Sequence, residues 1–178
     1  MVGSAVAAAV PNEEDLSVSL AAFLARFRAL HDKDRAGSLS PEEREEYRRG
    51  RDELARALLA VQRLSLKPGE TARQSLRVAR ALQVDLEWPK GQVRAVTLDL
   101  SVGGFATLMA KAPSQGDEVG CVFRLPGGDA LKAKARVASI VVQPTSVRVA
   151  YAFQGLPDED RDRLERLVFD TVLDQLAR

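Results

Sequence analysis

Two short runs carry residue types from which an anion site is built. Arg73-Gln74-Ser75-Leu76-Arg77 is an RxxxR segment, with two guanidinium groups four residues apart. Asp99-Leu100-Ser101-Val102-Gly103-Gly104 fits the pattern DxSxxG, joining a carboxylate, a hydroxyl and a pair of glycines. Arginine presents a planar fork of donors that matches phosphate oxygens two at a time and a flat face that stacks on rings. Aspartate is an acceptor of the complementary kind, and glycine lets a backbone come close or take unusual dihedrals. Taken alone, each run has a plainer reading: solvated loop arginines in an arginine-rich chain, and an Asx-type turn between strands. Their placement links them. Arg77 and Asp99 stand 22 positions apart, room for one strand, a turn and a second strand, so a hairpin would return Asp99 to Arg77.

Other chemistries lack their parts. Cys121, the single cysteine, stands in an alternating run with Val119, Phe123 and Leu125. It reads as a small buried hydrophobe, and one cysteine allows neither an intramolecular disulfide nor a cysteine-rich zinc site. The only histidine, His31, is followed by Asp32, Lys33 and Asp34. It reads as a solvated cation at a helix C-terminus. The chain is therefore expected not to be an enzyme and to need no metal or cofactor. A net charge of +1 opposes broad adhesion to nucleic acid polymers or anionic membranes, so any anion site must be local. Aromatic residues make up 5% of the chain, too few for the stacking platform of a single-strand nucleic-acid binder.

The opening MVGSAVAAAVP is apolar but far shorter than the roughly 20 residues of a membrane span. Residues 1–14 read as a flexible tail of a cytoplasmic protein without membrane insertion. From Asp15 the period is helical: Leu16, Leu20, Phe23, Leu24, Phe27 and Leu30 form one stripe. Gly37 interrupts it, and Ser40-Pro41-Glu42-Glu43 restarts a helix with a capping box and a proline at its first position. Tyr47, Leu54, Leu58, Val61 and Leu64 mark one face of that second helix. Residues 15–66 are thus expected to form a helical hairpin, either packed within the chain or pairing with a second copy, and Leu66–Glu70 to act as a joint. Gly50 interrupts a loose heptad there.

After residue 77 the period falls to two. The alternating sets are Leu82, Val84, Leu86 and Trp88; Val96, Leu98 and Leu100; the run Phe105 to Met109; Val119, Cys121, Phe123 and Leu125; Leu131, Ala133, Ala135, Val137 and Ser139; and Val147, Val149, Tyr151 and Phe153. Lys90-Gly91, Pro126-Gly127-Gly128 and Pro144-Thr145 supply turns. Six short strands predict an antiparallel barrel, which removes sheet edges. Pro157 and the acids after it open a last helix whose stripe is Leu164, Leu167, Val168, Val172 and Leu176. The fold class is α+β: a helical hairpin, then a barrel with a closing helix over residues 67–178. Lys132, Lys134 and Arg136 read as the solvated face of one strand.

RxxxR before a barrel, DxSxxG after its second strand, and the terminal VRVAYAFQGLPDEDRDRLERLV together resemble the PilZ domain family over roughly residues 72–176. The resemblance implies a six-stranded PilZ-type barrel that binds cyclic di-GMP, with Arg73, Arg77, Asp99, Ser101, Gly103 and Gly104 as ligand-binding residues. In that reading Arg73 and Arg77 embrace the ligand from a mobile segment, Asp99 accepts from guanine N1–H and N2–H₂, and Ser101 bonds the ligand or braces its loop. Arg80 and Arg94 would extend the basic surface. Two departures stand out: Ala150 where many relatives carry glycine, and Ala72 at a position that influences whether one ligand or a stacked pair is bound. The implied role is a second-messenger receptor that changes conformation and signals to an unidentified protein partner in motility, surface attachment or exopolysaccharide control. The competing reading is a PilZ-like interaction module without nucleotide binding. A monomer and a homodimer both remain open.

Overall fold

The computed structural model describes residues 13–69 and 73–178 and, among them, three helices and six strands. They divide into two compact units, one running to Leu54 and one from Ala55 onward. Most of the expected tail, together with Ala72 and Glu70, lies outside the described residues.

The first unit is built by α1 (Glu13–Arg35) and the start of α2 (Pro41–Leu64). The capping box forms as its spacing demands: the Glu43 amide donates to Ser40 Oγ at 3.2 Å, and the Ser40 amide donates to Glu43 Oε2 at 3.2 Å. Phe27 and Tyr47 stack with ring centroids 5.4 Å apart, and Leu30, Leu39 and Leu54 are buried with them. Outside this core the helices are tied by the Arg26–Glu46 fork (2.7 and 2.6 Å) and the Lys33–Glu43 pair (2.5 Å). Gly50 has a packing reason: a Cβ there would lie 3.1 Å from Phe27 Cδ2. The close approach of the Phe27 ring offsets the roughly 0.5–1 kcal/mol that glycine costs inside a helix.

One expectation is overturned here. His31 is not solvated; it is 2% exposed, and its Nδ1 shares a 2.7 Å hydrogen bond with the Tyr47 hydroxyl. Phe23, Phe27 and His31 recur every four residues, so His31 extends the apolar face beyond Leu30. The outer ends of the stripes are also less buried than their period implies. Leu20, Val61 and Leu64 are all exposed.

The second unit is a closed antiparallel barrel in the order β1-β2-β3-β6-β5-β4. Its strands are β1 (Gln83–Trp88), β2 (Gly91–Ser101), β3 (Gly104–Met109), β4 (Glu118–Arg124), β5 (Ala130–Val142) and β6 (Val147–Gln154). Phe105 anchors the interior, stacked on Tyr151 at 4.5 Å and edge-on to Phe123 at 4.9 Å. Helix α3 (Asp158–Leu176) contributes Leu164 and Leu167 to this core. Its buried face is wider than the expected stripe, taking in Phe169, Thr171 and Leu173 as well, whereas Leu176 is exposed. Cys121 is buried on β4, as read, and burial pushes its thiol up to about 12. No helix among the described residues is long and apolar enough to cross a membrane.

Two bulges break the simple alternation. The β2–β3 register shifts between Thr97 and Asp99, and the β5–β6 register between Val137 and Ser139. On β2 the inward residues are Ala95 and Thr97, then Leu100, so Val96 and Leu98 face out, contrary to the alternation read from the sequence. Thr97 is buried because its hydroxyl is spent on backbone: it donates to the Arg80 carbonyl at 2.5 Å and accepts from the Leu82 amide at 2.9 Å. On β5 the extra residue turns Ser139 outward and brings Ile140 against the core. A bulge moves every later side chain to the other face.

Two substitutions test this packing. Tyr47→Phe removes the hydroxyl partner of a buried histidine and is expected to lower stability by about 1 kcal/mol, read by urea denaturation under circular dichroism; an unchanged midpoint would contradict the assignment. Gly104 sits where a Cβ would fall 2.0 Å from the Tyr151 carbonyl oxygen. Gly104→Ala must therefore part β3 from β6, with an expected cost of about 1–3 kcal/mol in denaturation followed through Trp88 on β1.

Candidate functional site

The site begins with a backbone pair. Val78 bridges Leu100 in both directions, its amide donating to the Leu100 carbonyl at 3.0 Å and its carbonyl accepting from the Leu100 amide at 2.9 Å. This pins the segment before β1 against the end of β2 and sets Arg77 beside Asp99. Gln62 steadies the same segment by donating from Nε2 to the Arg77 carbonyl at 3.1 Å. Arg77 Nε then lies 3.6 Å from Asp99 Oδ1, with side chains 28% and 17% exposed. Among the described residues neither atom has a hydrogen-bond partner, although both are buried. Buried polar atoms of this kind are uncommon and costly, and the two sit face to face just beyond bonding distance.

The other oxygen of Asp99 is taken by a residue outside either motif. Arg148, on β6, donates from Nη2 to Asp99 Oδ2 at 2.8 Å. The electrostatics follow from this arrangement. Burial pushes the Arg77 guanidinium below its usual value, Asp99 opposes that, and the positive charges of Arg73 and Arg148 add to the depression. Arg77 and Arg148 thus flank one carboxylate, and the exposed Arg73 adds positive charge close enough to act on Arg77.

Ser101, Gly103 and Gly104 shape the turn between β2 and β3. The buried Ser101 hydroxyl accepts from the amides of Gly103 (3.2 Å) and Gly104 (3.1 Å) and donates to the Gly104 carbonyl (3.2 Å). Of the two roles considered for Ser101, this geometry is that of a brace. Gly103 lies under the first motif, since a Cβ there would be 3.0 Å from Ser75 Oγ. Neither glycine has a positive φ; close approach, rather than an unusual dihedral, is what they supply.

The structure therefore brings Arg77, Asp99 and the Ser101–Gly104 turn together, whereas Arg73 is exposed and lines a groove with Gln62, Arg63 and Leu66 at the end of α2. Arg94 is directed elsewhere, to Asp85 at 2.7 Å on the β1–β2 hairpin, a pair that Arg124 joins at 3.4 Å. Lys132, Lys134 and Arg136 are exposed on β5, as read. Arg148 escapes sequence reasoning because it looks like one outward residue in an alternating strand. Its relation to Asp99 depends on β3 pairing with β6, a contact between distant segments.

A model of the PilZ domain matches residues 71–170. Among solved structures, the chain is similar to the Bacillus subtilis inhibitor of motility MotI/DgrA, at 21% identity and TM-score 0.54, over 61% of this chain and 57% of that one. It is similar to the PilZ domain of YcgR from Escherichia coli, a structure with c-di-GMP, at 18% identity and TM-score 0.51, over 59% of this chain and 95% of that one. It is also similar to MrkH of K. pneumonia in its c-di-GMP complex, at 16% identity and TM-score 0.55, over 61% and 56%. The chain thus spans little more than half of the MotI/DgrA and MrkH structures. No curated protein matches it. With the family model matching more than half of the sequence and the closed six-stranded barrel in place, this chain belongs to the PilZ domain family.

Proposed function

We propose that this chain is a receptor for cyclic di-GMP that acts as an adaptor rather than an enzyme. The observation carrying this reading is the facing pair Arg77 Nε and Asp99 Oδ1, buried, 3.6 Å apart and each lacking a hydrogen-bond partner among the described residues. A ligand that offers both acceptors and donors satisfies both atoms at once. Guanine does so, with O6 and N7 for a guanidinium and N1–H and N2–H₂ for a carboxylate. The second requirement is negative charge. Arg73, Arg77 and Arg148 outnumber the one carboxylate among them, and two phosphates balance the excess. Both motif arginines, Asp99 and the Ser101–Gly104 turn would contact or frame the ligand, the arginines from outside and the turn by its backbone.

Signalling would follow from drawing the exposed Arg73 end of the RxxxR segment over the ligand, the Arg77 end being already held by Gln62 and the Val78–Leu100 bridge, an electrostatic switch of a common type. The partner would be a protein, and the family resemblance favours control of motility, surface attachment or exopolysaccharide output. One observation favours the alternative, an interaction module without nucleotide: Val96 and Leu98 on β2 and Leu108 on β3 are exposed apolar residues on the barrel exterior.

Calorimetric titration with cyclic di-GMP, with GTP as control, separates the two readings. The receptor reading expects binding of about micromolar strength or tighter and a loss of at least about tenfold in Arg77→Ala. Absence of both heat and thermal stabilisation at saturating ligand would sink it in favour of the interaction module.

A further inference from the structure

Arg148 lies in neither motif, yet it makes the shortest polar contact to Asp99. On β6 it pairs across to Leu108 of β3 and Val141 of β5, both exposed and apolar, so these neighbours give its guanidinium no polar partner. Its side chain instead reaches Asp99, and both groups are partly buried at 31% and 17% exposure. Oδ2 is thereby anchored, while Oδ1 stays unpartnered among the described residues and points towards Arg77.

We infer that Arg148 is a positioning residue of this site, bracing Asp99 so that its carboxylate discriminates guanine from adenine. The inference rests on the proposed cyclic di-GMP site and names what sets its base preference. An aspartate rotates freely about its terminal torsion unless held, because that torsion is broad. Guanine presents adjacent N1–H and N2–H₂ donors, which require the carboxylate in one plane. Adenine presents an N1 acceptor at the same edge, and a fixed carboxylate rejects it because the two acceptors oppose each other. A carboxylate released from its brace turns to accommodate either base. Supporting groups of this kind hold a recognition residue in productive geometry without touching the ligand themselves.

The experiment compares the full chain with Arg148→Ala and Arg148→Lys, titrating each with cyclic di-GMP and with cyclic di-AMP. Arg124→Ala, on the β1–β4 face, serves as the control for losing a surface arginine. Arg148→Ala is expected to weaken cyclic di-GMP binding about tenfold and to narrow the ratio of the two affinities, with a melting temperature close to that of Arg124→Ala. Arg148→Lys keeps the charge but lacks the fork; it is expected to recover part of the affinity while the ratio stays narrowed. If Arg148→Ala does not fold by circular dichroism, Arg148→Lys alone decides through the ratio. An unchanged ratio overturns the inference, including the case in which both dinucleotides weaken equally, since that reports charge alone. Failure of the unaltered chain to bind either dinucleotide overturns the site reading itself, and this inference with it.

Discussion

One partly buried carboxylate is where the fold and its chemistry meet. Asp99 has Arg77 on one side and Arg148 on the other, and these three residues come from three separate segments of the chain. Each segment arrives for a different reason. The β2 bulge after Thr97 sets the face on which Asp99 stands, and the Val78–Leu100 bridge holds the Arg77 segment against the same strand. Barrel closure places β6 beside β3 and so delivers Arg148. An anionic side chain at this depth needs paired charge, and Arg77 and Arg148 on either side leave the cluster with a net positive charge.

The DxSxxG run divides its labour accordingly. Ser101 and the glycines build the turn: the hydroxyl closes three short-range hydrogen bonds, and Gly104 allows the backbone of β6 to come within contact. Asp99 alone of that run supplies a charged group. Substituting the turn residues would thus act on the site through geometry, whereas substituting Asp99 would act through charge. Beneath them, the aromatic cluster around Phe105 gives the rim a rigid base, since Phe105 neighbours Gly104 and stacks on Tyr151 across the β3–β6 pair.

Features governed by local rules were legible in the sequence. The capping box at Ser40–Glu43, the six strands, the turns at Lys90-Gly91 and Pro126-Gly127-Gly128, and the closing helix all depend on neighbours within a few residues. The meeting of Arg77 with Asp99 was also within reach, because one hairpin joins them. What escaped was long-range or one residue out of step. His31 passes for a surface residue until Tyr47 of another helix is laid over it. Val96, Leu98 and Ser139 look inward by period, but single-residue bulges invert that reading, and no turn residue announces them. Arg148 meets Asp99, 49 residues away in sequence, only through the pairing of β3 with β6, which alternation cannot reveal.

The most direct test is residue-resolved. Amide chemical shifts of isotopically labelled protein, followed during addition of cyclic di-GMP, report where the ligand sits without reliance on any substitution. The large perturbations are expected to fall on residues 73–80, on 99–104 and around Arg148. Perturbations centred instead on the opposite charged surface, around Asp85, Arg94, Lys132 and Lys134, would contradict this placement, as would a spectrum unchanged at saturating ligand.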